Sequence, residues 1–353
     1  MRCARCNSDS TYPQRVGRRC PSCKGEFAFE PRTGDPITDL AMRSAIDAVS
    51  STGTVRFLPE HVYYELARRK RQRGHGRTAF YALGAIGLFV AIANPAVGIT
   101  MAVVGGGIGT MLWPSARNTF SRLLFDSLWQ RWIDAHGTPA GLIVRSREAR
   151  AAPYRGHTDI PSYSFDRAVI CDRPQTADVL LANNFHFENN CAVLSVDGYP
   201  PHAFDMVRQM LANNPRLVVY ALHDATWAGC GLAHLLANDP TWFRGRARVV
   251  EVGIRPAHAR QLRGVWGERS EDPPPGLGHG TTARERMWLA GHSLELAAIR
   301  PEQVIKRLYA VIVNDAALEP ASTYVETGSE YYADSASFHS DASASDGGPD
   351  SFG

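Results

Sequence analysis

The chain has 353 residues, of which 44% are hydrophobic and 21% charged, and its 38 Lys/Arg against 35 Asp/Glu leave a formal charge of +3. That balance excludes a uniformly basic or acidic protein, yet it conceals opposite ends. The first 77 residues carry fifteen Lys/Arg against eight Asp/Glu, whereas 326–353 carry six acidic residues and no Lys or Arg. No internal repeat is present.

Cys3-x-x-Cys6 and Cys20-x-x-Cys23 form two knuckles separated by 13 residues, with Pro21 and Gly25 shaping the second. Four thiolates paired this way match a tetrahedral structural Zn²⁺ site, with about 2.3 Å to each sulfur. Two disulfides or a redox CxxC are the alternatives. Residues 1–30 are therefore read as a zinc ribbon that owes its folding energy to metal. Arg2, Arg5, Arg15, Arg18, Arg19 and Lys24 would make it a basic docking platform for nucleic acid or a protein partner.

Residues 36–77 read as a basic helical module: a helix over PITDLAMRSAIDAVS, an extended TVRFL, and a second helix opened by Pro59. From Thr78 to Ala116 there are 39 residues without a charge, divided at Asn94-Pro95. Each half approaches the ~20 residues that a membrane-spanning helix needs. The expectation is a transmembrane helical hairpin over 78–116, its helices brought close at Gly84, Gly87, Gly98 and the glycines from Gly105 to Gly109. A single tilted span or a hairpin within one leaflet is the alternative. Basic residues at 68–77 and at Arg117 and Arg122 place both flanks in the cytoplasm, hence both the ribbon and the carboxy-terminal domain. Residues 117–137 follow as an amphipathic helix, with Phe120, Leu123, Leu124, Leu128 and Trp132 on its apolar face and Gly137 as its end.

Over 168–230, three apolar strands run into polar ends: RAVICDR, CAVLSVDGYP and RLVVYALHDATWAGC, with helical segments between them. ARVVEVGIR at 247–255 supplies a fourth strand, 271–280 a loop, and 283–313 two helices, the second opened by Pro301. Alternating β and α predicts an α/β fold with a parallel, Rossmann-like sheet across 138–313, flanked by helices. Ligands gather beyond the carboxyl ends of such strands, where Asp172, Asp197 and Asp224 fall, and three carboxylates there would suit Mg²⁺ or Mn²⁺. Singly, Asp197 is also explained as a turn residue and Asp224 as a helix cap. Cys171, Cys191 and Cys230 read as small core residues.

Gly198-Tyr199-Pro200, then Asn214-Pro215, a β run, Leu222-His223-Asp224-Ala225-Thr226 and Gly229 resemble the Toprim domain of topoisomerase VI A subunits and related DNA-breaking enzymes. The resemblance covers about 85 residues and implies a Toprim-like fold, in which a Glu and an Asp-x-Asp pair hold Mg²⁺. Asp172 stands where that Glu would be, and Asp224 matches the first acid of the pair. Thr226, a neutral residue, replaces the second. The family's DNA-attacking tyrosine is not carried over to Tyr63 or Tyr64, which read as packing residues.

The expectation is a membrane-anchored zinc-ribbon protein whose divergent, catalytically silent Toprim-like domain binds or regulates a nucleic acid or nucleotide. An Mg²⁺-dependent nuclease or other phosphoryl-transfer enzyme using Asp172, Asp197 and Asp224 is the first alternative. A membrane scaffold recruiting a protein partner through the ribbon is the second. The acidic tail 326–353 is expected to be disordered.

Overall fold

The computed structural model describes residues 1–72, 120–144, 166–201, 204–214, 216–243, 245–259, 262, 265–268 and 280–317. The expected hairpin at 78–116 and the tail at 326–353 lie outside the described residues. Among the described residues no helix is long and apolar enough to cross a membrane.

Four strands, β1 (Arg167–Cys171), β2 (Ala192–Ser195), β3 (Val218–Leu222) and β4 (Arg248–Glu251), form a parallel sheet in the order β2-β1-β3-β4. The fourth strand is shorter than the apolar run suggested, because Val252, Gly253 and Ile254 continue beyond it as irregular backbone. Alternate residues serve opposite faces, as a strand's period of two requires. Ala168, Ile170, Val219 and Ala221 pack with Leu211, Leu232, Leu236 and Phe243 on one side. Val169, Cys171, Tyr220 and Leu222 pack on the other with Leu180, Phe185, Leu296, Leu308 and Ile312. Cys171, Cys191 and Cys230 are all buried in this second layer, as small core residues would be.

The amino-terminal helices are α1 (Asp39–Val49), capped by the Thr38 hydroxyl, and α2 (Pro59–Gln72). Next comes α3 (Arg122–His136), capped by Ser121 and ended at Gly137. Its buried stripe is Phe125, Leu128 and Trp132, with Phe120 just before it. Leu123 and Leu124, expected on that stripe, are instead 82% and 37% exposed. They lie on the first turn, away from the i, i+3, i+7 row that faces α1 and α2. The extended TVRFL piece has a partner distant in sequence: Phe57 N–H donates to Gly141 O at 3.0 Å and Ile143 N–H to Phe57 O at 2.8 Å.

The region 283–313 is more broken than two helices. A helix over Ala283–Leu289 gives way to a two-residue strand, His292–Ser293, paired antiparallel with Gly267–Glu268. A 3-10 turn at Leu296–Ala298 then precedes the final helix, Pro301–Ala317. The segment from His292 to Ile299 thereby crosses the carboxyl ends of the strands, where Ala225 and Leu294 exchange backbone hydrogen bonds at 2.9 and 3.1 Å.

Candidate metal centre and strand-end crevice

Each knuckle is a tight turn. Asn7 N–H donates to Cys3 O at 2.9 Å and Lys24 N–H to Cys20 O at 2.9 Å. Asn7 and Lys24 both take φ of 58°, which swings the chain back after the second cysteine of each pair. Bridges between Arg2 and Asp9, and between Arg19 and Glu26, then close the two loops. The Sγ atoms of Cys3, Cys6, Cys20 and Cys23 all lie within 4.8 Å of one another. The Cys3–Cys23 and Cys6–Cys20 separations are 3.7 Å. A tetrahedron with ~2.3 Å bonds to sulfur has edges of about 3.8 Å, so the donor set fits a tetrahedral thiolate-bound ion. The thiols are unequal before any ion binds. The backbone N–H of Cys23, then the Ser8 hydroxyl, lower Cys20 to about 6. Burial pushes Cys3 up to about 12. All seven cysteines are free, so neither knuckle is a disulfide.

The ribbon is not the free basic platform its composition suggests. Arg15 is buried against Glu30, Nη1 to Oε2 at 2.8 Å. Arg5 reaches the end of α3 and donates to Ala135 O at 2.8 Å, and Arg43 of α1 donates to Ala4 O at 3.0 Å. Asp39, fully buried at the start of α1, accepts from the backbone N–H groups of Ala28 and Phe29, each at 3.1 Å. Arg2, Arg18, Arg19 and Lys24 remain exposed.

At the sheet, the strand order reverses between β1 and β3, which is where a doubly wound sheet opens its crevice. Asp172 follows β1 and Asp224 lies two residues past β3, so both acids fall at that point. Asp172 Oδ2 accepts from Asp224 N–H at 2.8 Å. Asp224 is 1% exposed, and its Oδ1 accepts from Leu296 N–H at 2.6 Å. Its Oδ2 lies 2.8 Å from Arg173 Nε, an ion pair whose angle falls short of a hydrogen bond. Arg173 in turn meets Glu295, Nη1 to Oε1 at 3.0 Å. Burial, then the charge of Asp172, raise Asp224 to about 8 against the opposing pull of Arg173 and Leu296 N–H. Asp172 is raised as well, chiefly by burial.

Asp197 is different in kind: it is an exposed turn residue before Gly198, whose φ is 78°. Among the described residues, the four cysteines are the group of three or more His, Cys, Asp or Glu whose ligand atoms draw together; Asp172, Asp197 and Asp224 form no such group. Thr226 has a structural task. Its hydroxyl accepts from Gly229 N–H at 3.0 Å and caps the turn Trp227–Cys230, the role that the alternative reading of the sequence gave to Asp224. Gly229 is held to its size by the same geometry, since a Cβ there would sit 2.2 Å from Asp224 O and 3.1 Å from Asp172 Oδ2.

A residue pair without any motif completes the strand ends. His223 Nε2 lies 2.9 Å from Glu251 Oε1, and Arg255 meets both Glu251 and Glu285. Glu251 closes the VVE run of β4, and the only signal for it in the sequence was a charge within an apolar strand. Comparison with family models, curated proteins and solved structures finds no match to this chain. What the site can do therefore rests on its own residues.

Proposed function

We propose that this protein is a zinc-stabilised binding or regulatory protein, anchored to a membrane through 78–116, whose Toprim-like α/β domain recognises a ligand without hydrolysing it. One observation carries the reading: Asp224, the acid matched to the family's metal ligand, has both carboxylate oxygens engaged by the chain's own Leu296 N–H and Arg173. A protonated or arginine-paired carboxylate is a poor ligand for Mg²⁺, which needs anionic oxygens in near-octahedral array. The neutral Thr226 points the same way. For the amino terminus, four thiolates at tetrahedral spacing favour Zn²⁺ over harder ions. A nucleic acid or nucleotide is the ligand class that the resemblance suggests, and Arg173 offers it a partly exposed cation at the crevice.

The test is calorimetric titration of the full-length protein with Mn²⁺, together with a cleavage assay on fluorescent single- and double-stranded oligonucleotides. Retention of the labelled strand without cleavage and without Mn²⁺ binding supports recognition. Mn²⁺-dependent cleavage abolished by Asp224→Ala overturns it in favour of the nuclease. The scaffold reading has one observation of its own: Tyr12 and Val16, 42% and 81% exposed, stand on the outer loop of the ribbon. Zinc-dependent capture of a protein lost in Val16→Asp would support it.

A further inference from the structure

Helices α1 to α3 lie between the cysteine cluster and the strand-end crevice, and they touch both. On the ribbon side, Arg131 of α3 makes a bidentate pair with Asp35 at 2.7 and 2.8 Å and also donates to Ala28 O at 2.6 Å. Phe29 stacks on Trp132 with ring centroids 6.3 Å apart, and Ala28 and Phe29 belong to the same buried cluster as Met42, Val62, Leu66 and Leu128. Arg5, one residue before Cys6, holds Ala135 O. The ribbon therefore contributes core and hydrogen bonds to the helices and is not hung from them by a linker.

On the crevice side, the same helices hold the segment that crosses the strand ends. Arg68 of α2 donates to Ala298 O, and Arg300 pairs with Glu65 at 3.0 Å. Arg122 at the start of α3 lies 3.5 Å from Glu295. Glu295 is the residue that steadies Arg173 against Asp224, and Leu296 covers Asp224 directly. The sheet domain holds the segment through the paired backbone bonds of Ala225 and Leu294 and through Leu296 N–H on Asp224. Helices α2 and α3 add the contacts to Glu295, Ala298 and Arg300 that lock its far side.

We infer that α1–α3 form a mechanical link through which metal occupancy of Cys3, Cys6, Cys20 and Cys23 sets whether Leu294–Ala298 stays seated over Asp224. A metal-bound ribbon fixes residues 28–39, these fix the carboxy-terminal half of α3, and the helical block then holds the segment closed. Loss of metal frees the ribbon, since so short a segment has little core of its own. The crevice between β1 and β3 opens as a consequence, making ligand access conditional on metal. This rests on the reading of the four cysteines as metal ligands.

The experiment is hydrogen–deuterium exchange on the full-length protein, as purified, after removal of metal by a chelator, and after Zn²⁺ is restored, with metal content measured in each sample. The expected result is exchange about tenfold faster or more at Leu294 and Leu296 on stripping, no change in β1 and β3, and recovery with Zn²⁺. Arg131→Gln should loosen the same amides with metal still bound, which separates the link from the ribbon's own unfolding. Labile amides at Cys20 and Lys24 beside fully protected Leu294 and Leu296 would overturn the inference, and so would loss of protection throughout the sheet. A protein that takes up no metal sinks the reading of the cysteines and the link with it, and the metal analysis tells this from a loaded protein that has no link.

Discussion

The imidazole of His223 joins the ends of two neighbouring strands, its Nε2 lying 2.9 Å from Oε1 of Glu251 while its Nδ1 lies 2.8 Å from Asp224 O. Both partners are acceptors, so the ring satisfies both only with a proton on each nitrogen. Burial disfavours that charge, but the Glu251 hydrogen bond and charge outweigh it, and the pKa of His223 is raised. The ring lies near Asp172, and its charge opposes the effect of burial on that carboxyl.

Gly253 is what admits the ring. A Cβ at that position would fall 2.3 Å from His223 Cδ2, and the ring, pinned at both nitrogens, has nowhere to move. Gly253→Ala should therefore cost about 3 kcal/mol or more in urea unfolding. Gly291→Ala, with nothing within 4 Å of its Cβ, is the control and should change stability little. Equal effects at the two positions would show that the packing around His223 is looser than described.

Two buried groups at the strand ends lend stability that is lost as pH rises, while His61 and His258, lowered to about 4 chiefly by burial, give the opposite trend below the ordinary histidine value. His223 has a folded pKa above its unfolded value, so its contribution is complete below the unfolded value and is lost as pH passes through the raised one. Asp224, raised to about 8, binds its proton more tightly folded than unfolded, so stability declines from the ordinary carboxylate range up to about 8. Asp224→Asn should flatten the profile by on the order of 2 kcal/mol, less than full linkage because Asp172 shares the titration. The check is denaturation midpoint against pH for both proteins. Wild-type stability that does not fall relative to Asp224→Asn between pH 5 and 8 would contradict the assignment of Asp224.

The sheet was legible because its strands are short apolar runs broken by polar turns, and a parallel α/β order follows from the alternation with helices. The cysteine cluster was legible because cysteine spacing fixes knuckle geometry locally. The fate of Asp224 was not, because its partners Arg173, Glu295 and Leu296 come from two distant parts of the chain and no local pattern announces them. Leu123 and Leu124 show the limit of helical spacing: periodicity finds a face, and tertiary contact decides which of its residues are covered. Arg15 shows the same for charge, since counting placed it on a basic surface and the fold buried it with Glu30.

Thr226 separates capping from metal binding. Thr226→Ala removes the acceptor for Gly229 N–H and should cost about 1 kcal/mol. Thr226→Asp keeps an acceptor and places a third carboxylate beside Asp172 and Asp224 in the sequence of the strand ends. It should retain stability yet confer no Mn²⁺ binding, because Arg173 and Leu296 still hold Asp224. Calorimetry decides this. Binding in Thr226→Asp would mean that the strand-end acids are one residue short of a metal site.

The Arg15–Glu30 pair tests how firmly the ribbon is built into the fold. Both side chains are about 5% exposed or less, and Arg15 also sits over the Phe27 ring, 5.4 Å from its centroid. Glu30→Ala strands a buried guanidinium and should cost about 3–5 kcal/mol. Replacing both, Arg15→Met with Glu30→Leu, removes the charge along with its partner and should recover most of that loss, since a buried pair gains little over well-packed apolar residues. The two variants are compared by denaturant unfolding with metal content held equal. Full recovery in the double variant, against a large loss in the single one, is the signature of a charge buried for its partner. Small losses in both would place the pair at a surface that water reaches, and the ribbon with it.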